Sequence, residues 1–248
     1  MQTIWTQRYV VNSIVVNAEK RLGLVGLLSI LQDAAWIHAD HLGHGYEATL
    51  EAGALWILSR QTLTIDEWPA WRDELTVRTW VRPIRGPLIH RDYEFLVGAR
   101  KIGEGVAAWL TLDATTRRPV RPALAGAGLQ WRSEGALAVA PEKIAVRDGL
   151  AEAARFSARN SDLDLNGHVN NIRYAQWILD STPLATLRAR RIVRYDVNFL
   201  AEIRVGDAVA IESAPPEASP TGETLRFQGR RLSDGAHAFV AVLGVVAA

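Results

Sequence analysis

The sequence contains no cysteine. A chain without thiols cannot form a disulfide scaffold, a thiolate metal site or a cysteine nucleophile. Lysine is also scarce, because Lys20, Lys101 and Lys143 are the only lysines among many arginines. Acidic residues balance the basic ones to a formal net charge of +1. Overall charge therefore gives no reason to expect a nucleic acid as partner.

Long hydrophobic runs are absent as well. The longest apolar stretches, 22–31 and 236–248, are shorter than the roughly 20 residues that cross a bilayer. The first residues show no basic segment followed by an apolar one, which is the pattern of a signal peptide. Hydrophobic residues nevertheless make up 48% of the chain, which is enough for a sizeable core. We therefore expect a soluble, cytoplasmic protein with neither a membrane nor a nucleic acid as partner.

The hydrophobic pattern repeats once along the chain. In each half, a short strand precedes one amphipathic helix, and a run of strands follows it. In the first half the predicted elements are a strand near 8–11, a helix over 22–42, strands over 56–65, 75–81, 91–97 and 105–113, and a turn at 100–103. In the second half they are a strand near 155–159, a helix from about His168 to about Ser181, and strands over 192–199, 207–213, 225–231 and 237–246.

One helix followed by antiparallel strands, twice over, predicts an α+β fold. In it each of two helices is wrapped by an antiparallel sheet, which is a tandem, or double, hotdog. The segment 117–140 is rich in Pro, Gly and Ala without periodicity, so it is predicted to be a linker. Within it, Leu129 and Trp131 are candidates for packing onto the core. The predicted repeats are 1–130, with the linker beginning at about 117, and 131–248.

A polar run over 161–171 is the strongest functional signal in the sequence. Asp164, Asn166 and His168 alternate, so in an extended backbone a carboxylate, an amide and an imidazole point to one side. At the entrance of the predicted helix, these groups can take up, pass on and position a proton. Each also has a plain structural interpretation: a turn residue for Asp164, a helix cap for Asn166 and a polar helix start for His168.

Several segments of the chain resemble one known family. They are the polar run with the helix residues after it, 162–181, the first-half segments 55–60 and 68–73, and the segment 195–202. In these segments the chain is similar to the acyl-ACP thioesterases of plants and bacteria, which release fatty acids from acyl carrier protein. The resemblance covers nearly the whole chain.

The resemblance implies a catalytic set that consists of Asp164, Asn166, His168 and Glu202. From the residues alone, Glu202 is an acid in a bend between strands, which is usually a solvated turn residue. The resemblance to the family implies instead that Glu202 is the base that activates water. Plant enzymes often carry a cysteine directly after this glutamate, where this chain has Ile203. Without a cysteine, the attacking group is either an activated water molecule or a carboxylate. Asp164 and Glu202 are the two candidates for the residue that activates the nucleophile.

Thioester chemistry defines what such a site needs. A thiol ionises near pH ~8.5, so the leaving group requires little acid assistance. The requirements are an activated nucleophile and a stabilised oxyanion. A helix beginning near His168 offers backbone N–H groups and the positive end of its dipole. We hypothesise that Gly167 or His168 donates such an N–H, with Gly167 also letting the substrate approach closely.

The first half carries no counterpart of the Asp-x-Asn-x-His run at its helix entrance, 17–21. We therefore expect one catalytic site, in the second half, and an acyl-chain pocket in the first. Candidate walls of that pocket are Trp36, Trp56 and Leu58. Ordinary core packing is the competing interpretation for each of them.

Three histidines, His38, His41 and His44, are spaced as H-x-x-H-x-x-H. Two of them can share a helix face, but no carboxylate or supporting pattern accompanies them. The interpretation favoured here is a set of helix-end residues. We therefore predict neither a metal nor another cofactor.

By the same resemblance, the expected partner is acyl carrier protein, which presents the acyl chain on its phosphopantetheine arm. Carrier protein is acidic, so a basic surface favours docking. The candidate clusters are Arg188, Arg190, Arg191 and Arg194, and Arg117, Arg118 and Arg121. A double hotdog can be self-contained, so a monomer and a homodimer both remain open.

Three other functions fit the same fold. The first is an acyl-CoA thioesterase, the second a hotdog dehydratase that uses His with a carboxylate, and the third a non-catalytic acyl-binding protein. The Asn-rich run with a distant glutamate fits hydrolysis better than dehydration, because dehydration needs no water nucleophile. The length and saturation of the acyl chain remain open at this level.

Overall fold

The computed structural model describes residues 3–84, 86–122 and 131–248. The chain divides into two compact units, Met1–Pro141 and Glu142–Ala248. This boundary lies later than the expected one at 130/131. No helix in the described part of the chain is long and apolar enough to cross a membrane.

The first unit combines one long helix with a five-stranded antiparallel sheet. Its elements are β1 (Ile4–Val10), α1 (Leu24–His41), α2 (Tyr46–Glu51), β2 (Ala54–Ile65), β3 (Glu74–Val81), β4 (Ile89–Val97) and β5 (Arg100–Asp113). The strands lie in the order β1-β3-β4-β5-β2, and each neighbouring pair is antiparallel. The predicted helix and strands of the first half are confirmed, with α2 as an addition.

Helix α1 forms because its apolar residues recur every three or four positions. Leu24, Leu27, Leu31 and Ala34 are all buried. The helix ends before Gly43, whose φ of +74° is a left-handed conformation that glycine adopts without strain. The burial of this face anchors α1 to the first unit.

The hairpin between β4 and β5 turns earlier than predicted. Its turn is Gly98 and Ala99, and Arg100 already pairs with Val97. The turn predicted at 100–103 is therefore wrong, because these residues already belong to β5. A two-residue loop closes an antiparallel pair most tightly, and Gly98, with φ of +60°, supplies the positive φ that such loops use.

The second unit repeats the plan. Its elements are β6 (Ala151–Ser157), α3 (Asn171–Asp180), α4 (Leu184–Arg188), β7 (Arg190–Phe199), β8 (Ala208–Ser213), β9 (Glu217–Ser219), β10 (Gly222–Arg231) and β11 (His237–Ala247). The strand order is β7-β11-β10-β8-β6, and β9 pairs with β10. These neighbours are antiparallel as well. The tandem hotdog predicted from the sequence is confirmed.

Aromatic side chains join α3 to its sheet. Tyr174 meets Phe199 of β7 and Phe239 of β11 edge-on, with ring centroids 5.4 and 5.2 Å apart. Trp177, one helical turn further, stacks on Phe156 of β6 at 5.8 Å. Edge-to-face and offset contacts at these distances are favourable aromatic geometries. The helix is therefore fixed against β6, β7 and β11 of its sheet.

Residues 131–141 pack onto the first unit rather than forming a free linker. Trp131 lies against the buried cluster of Leu42, Val81 and Ile89, as the sequence analysis anticipated for it; Leu129 lies outside the described residues. The Trp80 indole donates to the carbonyl of Glu134 at 2.9 Å. A segment held by hydrogen bonds of this kind shows no regular spacing of hydrophobic residues in its sequence. For this reason the segment was predicted to be a linker.

The stretch after Pro141 is held to the second unit by two buried amides. Asn198 accepts from the N–H of Ile144 at 2.6 Å and donates to the carbonyl of Glu142 at 3.0 Å. Gln228 accepts from the N–H of Arg147 at 3.2 Å and donates to the same residue's carbonyl at 2.9 Å. Both amides are buried. Each side-chain amide therefore accepts one backbone N–H and donates to one backbone carbonyl, as the backbone of a neighbouring strand would.

Candidate active site

The residues 164–168 form a tight turn. The N–H of Asp164 donates to the carbonyl of His168 at 2.8 Å, and the N–H of Gly167 donates to the carbonyl of Asp164 at 3.0 Å. The Asp164 carboxylate accepts the N–H of Asn166 at 2.8 Å. This side-chain contact two residues along is the turn-forming habit of aspartate. Across this turn, Val169, the residue after His168, forms an isolated antiparallel β-bridge with Leu163.

Helix α3 begins later than the sequence analysis placed it. Asn170 is its N-cap, and the side chain accepts the N–H of Ile172 at 3.0 Å. The first helical residue is Asn171. The predicted start near His168 is therefore wrong, because the capping amide is that of Asn170 and not that of Asn166.

His168 and Glu202 meet at the centre of the site. The imidazole Nε2 lies 3.1 Å from a carboxylate oxygen of Glu202, and the two side chains are 16% and 33% exposed. That distance is within hydrogen-bond reach. An imidazole and a carboxylate that are both partly open to solvent can exchange protons with a substrate or a water molecule.

One backbone contact sets the spacing of this pair. The N–H of Val169, the residue after His168, donates to the carbonyl of Ile203, the residue after Glu202, at 2.8 Å. The residues that follow His168 and Glu202 in the chain are therefore joined by a backbone hydrogen bond, which brings the two side chains close together. Ile203 itself is fully buried, so the position next to Glu202 serves packing.

Glu202 also has a cationic neighbour. Arg204 brings its guanidinium to 3.8 Å from the Glu202 carboxylate, and its side chain is 70% exposed. Solvent screens a pair this exposed, so its contribution to stability is small. Its position still places positive charge at the rim of the site.

The predicted catalytic residues fall into two groups. The structure brings His168 and Glu202 together, whereas the Asp164 carboxylate builds the turn through the N–H of Asn166. Asn166 lies in the same turn, half-buried. The catalytic roles of all four residues stay predictions.

The oxyanion hypothesis needs a correction at Gly167. Its N–H donates to the carbonyl of Asp164, so it is already engaged within the turn and does not point to a ligand. The other candidate donor, the N–H of His168, stays a prediction. Since α3 begins at Asn171, the dipole of that helix acts three residues beyond the position assumed from the sequence.

The proposed pocket walls are found in the first unit, each with a packing partner. Trp36 stacks on Tyr46 with ring centroids 5.6 Å apart. Trp56 donates its indole N–H to the Thr49 hydroxyl at 2.9 Å, and Leu58 is buried. Packing accounts for these contacts, and a role in holding an acyl chain stays a prediction.

The three histidines of the first unit have separate environments. His38 is buried, with Nδ1 2.8 Å from the Arg91 guanidinium. The His41 ring lies against Trp5 at 5.0 Å, and burial lowers the pKa of His44. Among the residues that the structure describes, no three His, Cys, Asp or Glu side chains are grouped as metal ligands.

The second-half arginine cluster is partly neutralised. Arg190 pairs with Glu223 at 2.7 Å, and Arg194 pairs with Asp196 at 2.6 Å. Both lie on β7, and each guanidinium has a carboxylate within direct contact. The positive charge available there is therefore smaller than the sequence cluster suggested.

One further residue touches the Glu202 segment and was not anticipated. Arg231 donates to the carbonyl of Glu202. In the sequence, Arg231 ends an alternating strand. Nothing in that pattern points to a distant loop, so sequence reasoning had no signal for it.

Gly167 provides a test of the turn. Its φ is +72°, and an added Cβ would meet no atom within 4 Å, so the only cost of Gly167→Ala is conformational. We expect this variant to lose about 1–2 kcal/mol of unfolding free energy, measured by urea denaturation. Gly167→Asn should lose less, because asparagine tolerates this conformation.

The matched control for that variant is Gly23→Ala. Gly23 caps α1 with an ordinary φ of −88°, and an added Cβ would be in ordinary contact, 3.5 Å from Asn17. Its unfolding free energy should stay within about 1 kcal/mol of wild type. Equal losses at the two glycines would contradict the assigned turn geometry.

Two family models match most of this chain. The model described as the acyl-ACP thioesterase N-terminal domain matches residues 2–123. The model of the acyl-ACP thioesterase C-terminal domain matches residues 147–237. The second match includes His168, Glu202 and the turn between β6 and α3.

Curated relatives and solved structures agree with these matches. A chloroplastic palmitoyl-acyl carrier protein thioesterase from Gossypium hirsutum is 28% identical over 216 residues, which cover 80% of this chain and 52% of that protein. A chloroplastic dodecanoyl-[acyl-carrier-protein] hydrolase from Cinnamomum camphora is 28% identical over 217 residues, covering 80% and 56%. The chain thus spans about half the length of these relatives. The crystal structure of an acyl-ACP thioesterase from Bacteroides thetaiotaomicron superposes with a TM-score of 0.82 at 25% identity, covering 98% of both chains.

Proposed function

The chain belongs to the acyl-ACP thioesterase family, and from this membership we propose that it hydrolyses fatty acyl-acyl carrier protein to a free fatty acid and holo-carrier protein. The observation that carries the proposal is the contact of His168 Nε2 with the Glu202 carboxylate at 3.1 Å. This pair supplies the proton-handling groups that thioester hydrolysis requires.

The proposed reaction uses water as the nucleophile. Glu202 takes a proton from the water, and the water oxygen attacks the thioester carbonyl carbon. The C–S bond then breaks, and the pantetheine thiolate leaves with the proton that Glu202 took from the water, which restores the carboxylate. His168 donates its Nε2–H to the Glu202 carboxylate and so orients the base.

Glu202 is the better candidate for the base than Asp164. The Asp164 carboxylate accepts the N–H of Asn166, which favours a role in shaping the turn. Glu202, by contrast, points its carboxylate at the imidazole and is a third exposed. Attack by a cysteine is excluded because the chain has none, and the residue after Glu202 is the buried Ile203.

The partner and setting follow as parts of the proposal. Acyl carrier protein delivers the acyl group on its phosphopantetheine arm, and the first unit accommodates the acyl chain. The reaction belongs to fatty acid biosynthesis in the cytoplasm. The assembly is a monomer or a homodimer, which sedimentation would distinguish.

The experiment that tests the proposal is thiol release by the purified protein. Acyl-carrier-protein and acyl-CoA thioesters of graded chain length are compared side by side. We expect kcat/KM for carrier-protein thioesters to exceed that for CoA thioesters of equal length by at least about tenfold, since only the former presents a protein surface. A preference for CoA would remove the carrier protein as partner, and no release from any thioester would overturn the hydrolase.

A further inference from the structure

Glu202 lies in an irregular segment between β7 and β8. Strand β7 ends at Phe199 and β8 begins at Ala208, so no sheet ladder fixes the backbone of Glu202. Within this segment Leu200 and Val205 are exposed, and the adjacent Ile203 is buried. The position of the carboxylate therefore depends on contacts from elsewhere in the unit.

Arg231, at the end of β10, provides one such contact. Its Nη1 donates to the main-chain carbonyl of Glu202 at 2.5 Å. The rest of the guanidinium is held by Asp234, with Nε and Nη2 donating to its two carboxylate oxygens at 3.0 and 2.6 Å. A two-pronged pair of this kind fixes the plane of the guanidinium. The Arg231 side chain is only 20% exposed, so the donor aimed at Glu202 is rigid.

The Asp234 carboxylate stays charged over the whole working range of pH. Arg231, and then the N–H of Ala236, lower the pKa of Asp234 to about 2. The pair is thus intact wherever activity would be measured.

Val169 provides the second contact, from the histidine side. Its N–H donates to the carbonyl of Ile203 at 2.8 Å. Val169 directly follows His168 and is itself buried. The residue after Glu202 is therefore tied to the residue after His168.

These two contacts act on successive peptide groups. The carbonyl of Glu202 belongs to the peptide bond before Ile203, the carbonyl of Ile203 belongs to the peptide bond after it, and both bonds are trans. Arg231 holds the first carbonyl and Val169 holds the second. Holding both carbonyls restricts the backbone beside Glu202, and with it the direction in which the Glu202 side chain leaves the backbone.

We propose that Arg231 is a positioning residue that aims the Glu202 carboxylate at His168. The inference rests on the proposed function, because it assigns Glu202 a part in turnover. Arg231 does not contact the reacting atoms; it acts through the peptide group after Glu202.

The test compares steady-state kinetics of Arg231→Ala and Arg231→Lys on an acyl-carrier-protein substrate. We expect kcat to fall by up to about a hundredfold for Arg231→Ala, which is the scale of a 1 Å misplacement. KM should stay within about twofold, because the substrate contacts are unchanged. Arg231→Lys should recover part of the loss, since lysine can still donate one hydrogen bond.

A matched control comes from the same chain. Arg155 makes a similar two-pronged pair with a carboxylate three residues away, Glu152, but makes no such contact with the Glu202 segment. Arg155→Ala should retain the kcat of wild type. The pH profile of kcat should change shape only in the Arg231 variants, a change that plain loss of stability would not cause.

Two results would overturn the inference, and they are distinguishable. If Glu202→Gln abolishes turnover while Arg231→Ala keeps the kcat and pH profile of wild type, the positioning role is wrong and the proposed function stands. If Glu202→Gln is as active as wild type, the assignment of Glu202 fails and the positioning role fails with it. Asp234→Asn, which keeps Arg231 in place but weakens its anchor, covers the case in which Arg231→Ala does not fold. Its kcat should fall by less than that of Arg231→Ala, and a wild-type kcat would count against the inference.

Discussion

Replacing His168 by alanine is expected to lower kcat for hydrolysis of an acyl-carrier-protein thioester by about 10²–10⁴-fold. The substitution removes the imidazole that lies 3.1 Å from the Glu202 carboxylate and leaves that carboxylate without its partner. The measurement is thiol release at saturating substrate, so that a weaker KM does not hide the effect. A kcat within about threefold of wild type would contradict the proposed pair.

The control for this variant is His41→Ala. His41 is an exposed residue at the end of α1, in the first unit, and its ring lies against Trp5. Turnover should be unchanged. If His41→Ala removed activity as His168→Ala does, the single site in the second unit would be wrong.

A double-mutant cycle separates a working pair from two independent residues. Glu202→Gln keeps the shape of the side chain and removes its charge. If His168 and Glu202 act together, the double variant should be scarcely slower than the slower single variant, because groups that work as a unit are not additive. Losses that multiply would indicate that the two side chains serve separate steps.

The second large effect concerns stability and lies far from the site. Asp92→Ala is expected to lower the unfolding free energy by about 3–5 kcal/mol, the usual cost of removing one partner of a buried ion pair. The Asp92 side chain is fully buried. It accepts from Nε and Nη2 of Arg82, both at 2.7 Å, and from the N–H of Ala136 at 2.8 Å. The variant leaves a largely buried guanidinium and an amide without their acceptor.

Urea denaturation provides the measurement for Asp92→Ala. If the two units unfold in separate transitions, the loss should appear only in the transition of the first unit. Glu104→Gln is the control, because its partner Lys101 is about half exposed and such pairs contribute at most about 1 kcal/mol. A loss for Asp92→Ala no larger than that of the control would mean that the segment around Ala136 is not tied down through this carboxylate.

Most of the fold was predictable because the main strands alternate and α1 carries an apolar stripe. In β3, Leu75, Val77 and Thr79 are buried at every second position, which is the signal that a strand leaves in a sequence. The short elements α2, α4 and β9 were missed because each is too short to show a period. The segment 131–141 was misjudged for another reason, since its anchors are a carboxylate and an indole rather than apolar spacing.

The site was predictable only where its residues are adjacent in the chain. The polar run pointed to His168, but three asparagines compete there for the cap of α3, and the sequence does not rank them. Glu202 has the local pattern of a turn acid, and it was identified through the family resemblance alone. Its meeting with His168 depends on one long-range backbone bond, from Val169 to Ile203, which no local pattern encodes.

The two amides that hold the stretch after Pro141 determine where the chain can be cut. A fragment that began at β6 would keep Asn198 and Gln228 but lose Glu142, Ile144 and Arg147, the residues whose backbone they bind. Three hydrogen-bonding atoms, both side-chain polar atoms of Asn198 and Oε1 of Gln228, would then face the interior of the fragment without these partners, at a cost of about 1–3 kcal/mol for each group left unsatisfied. Nε2 of Gln228 would keep Glu212 as an acceptor. For anyone expressing the second unit alone, the first residue to keep is therefore Glu142, even though the first strand starts only at Ala151.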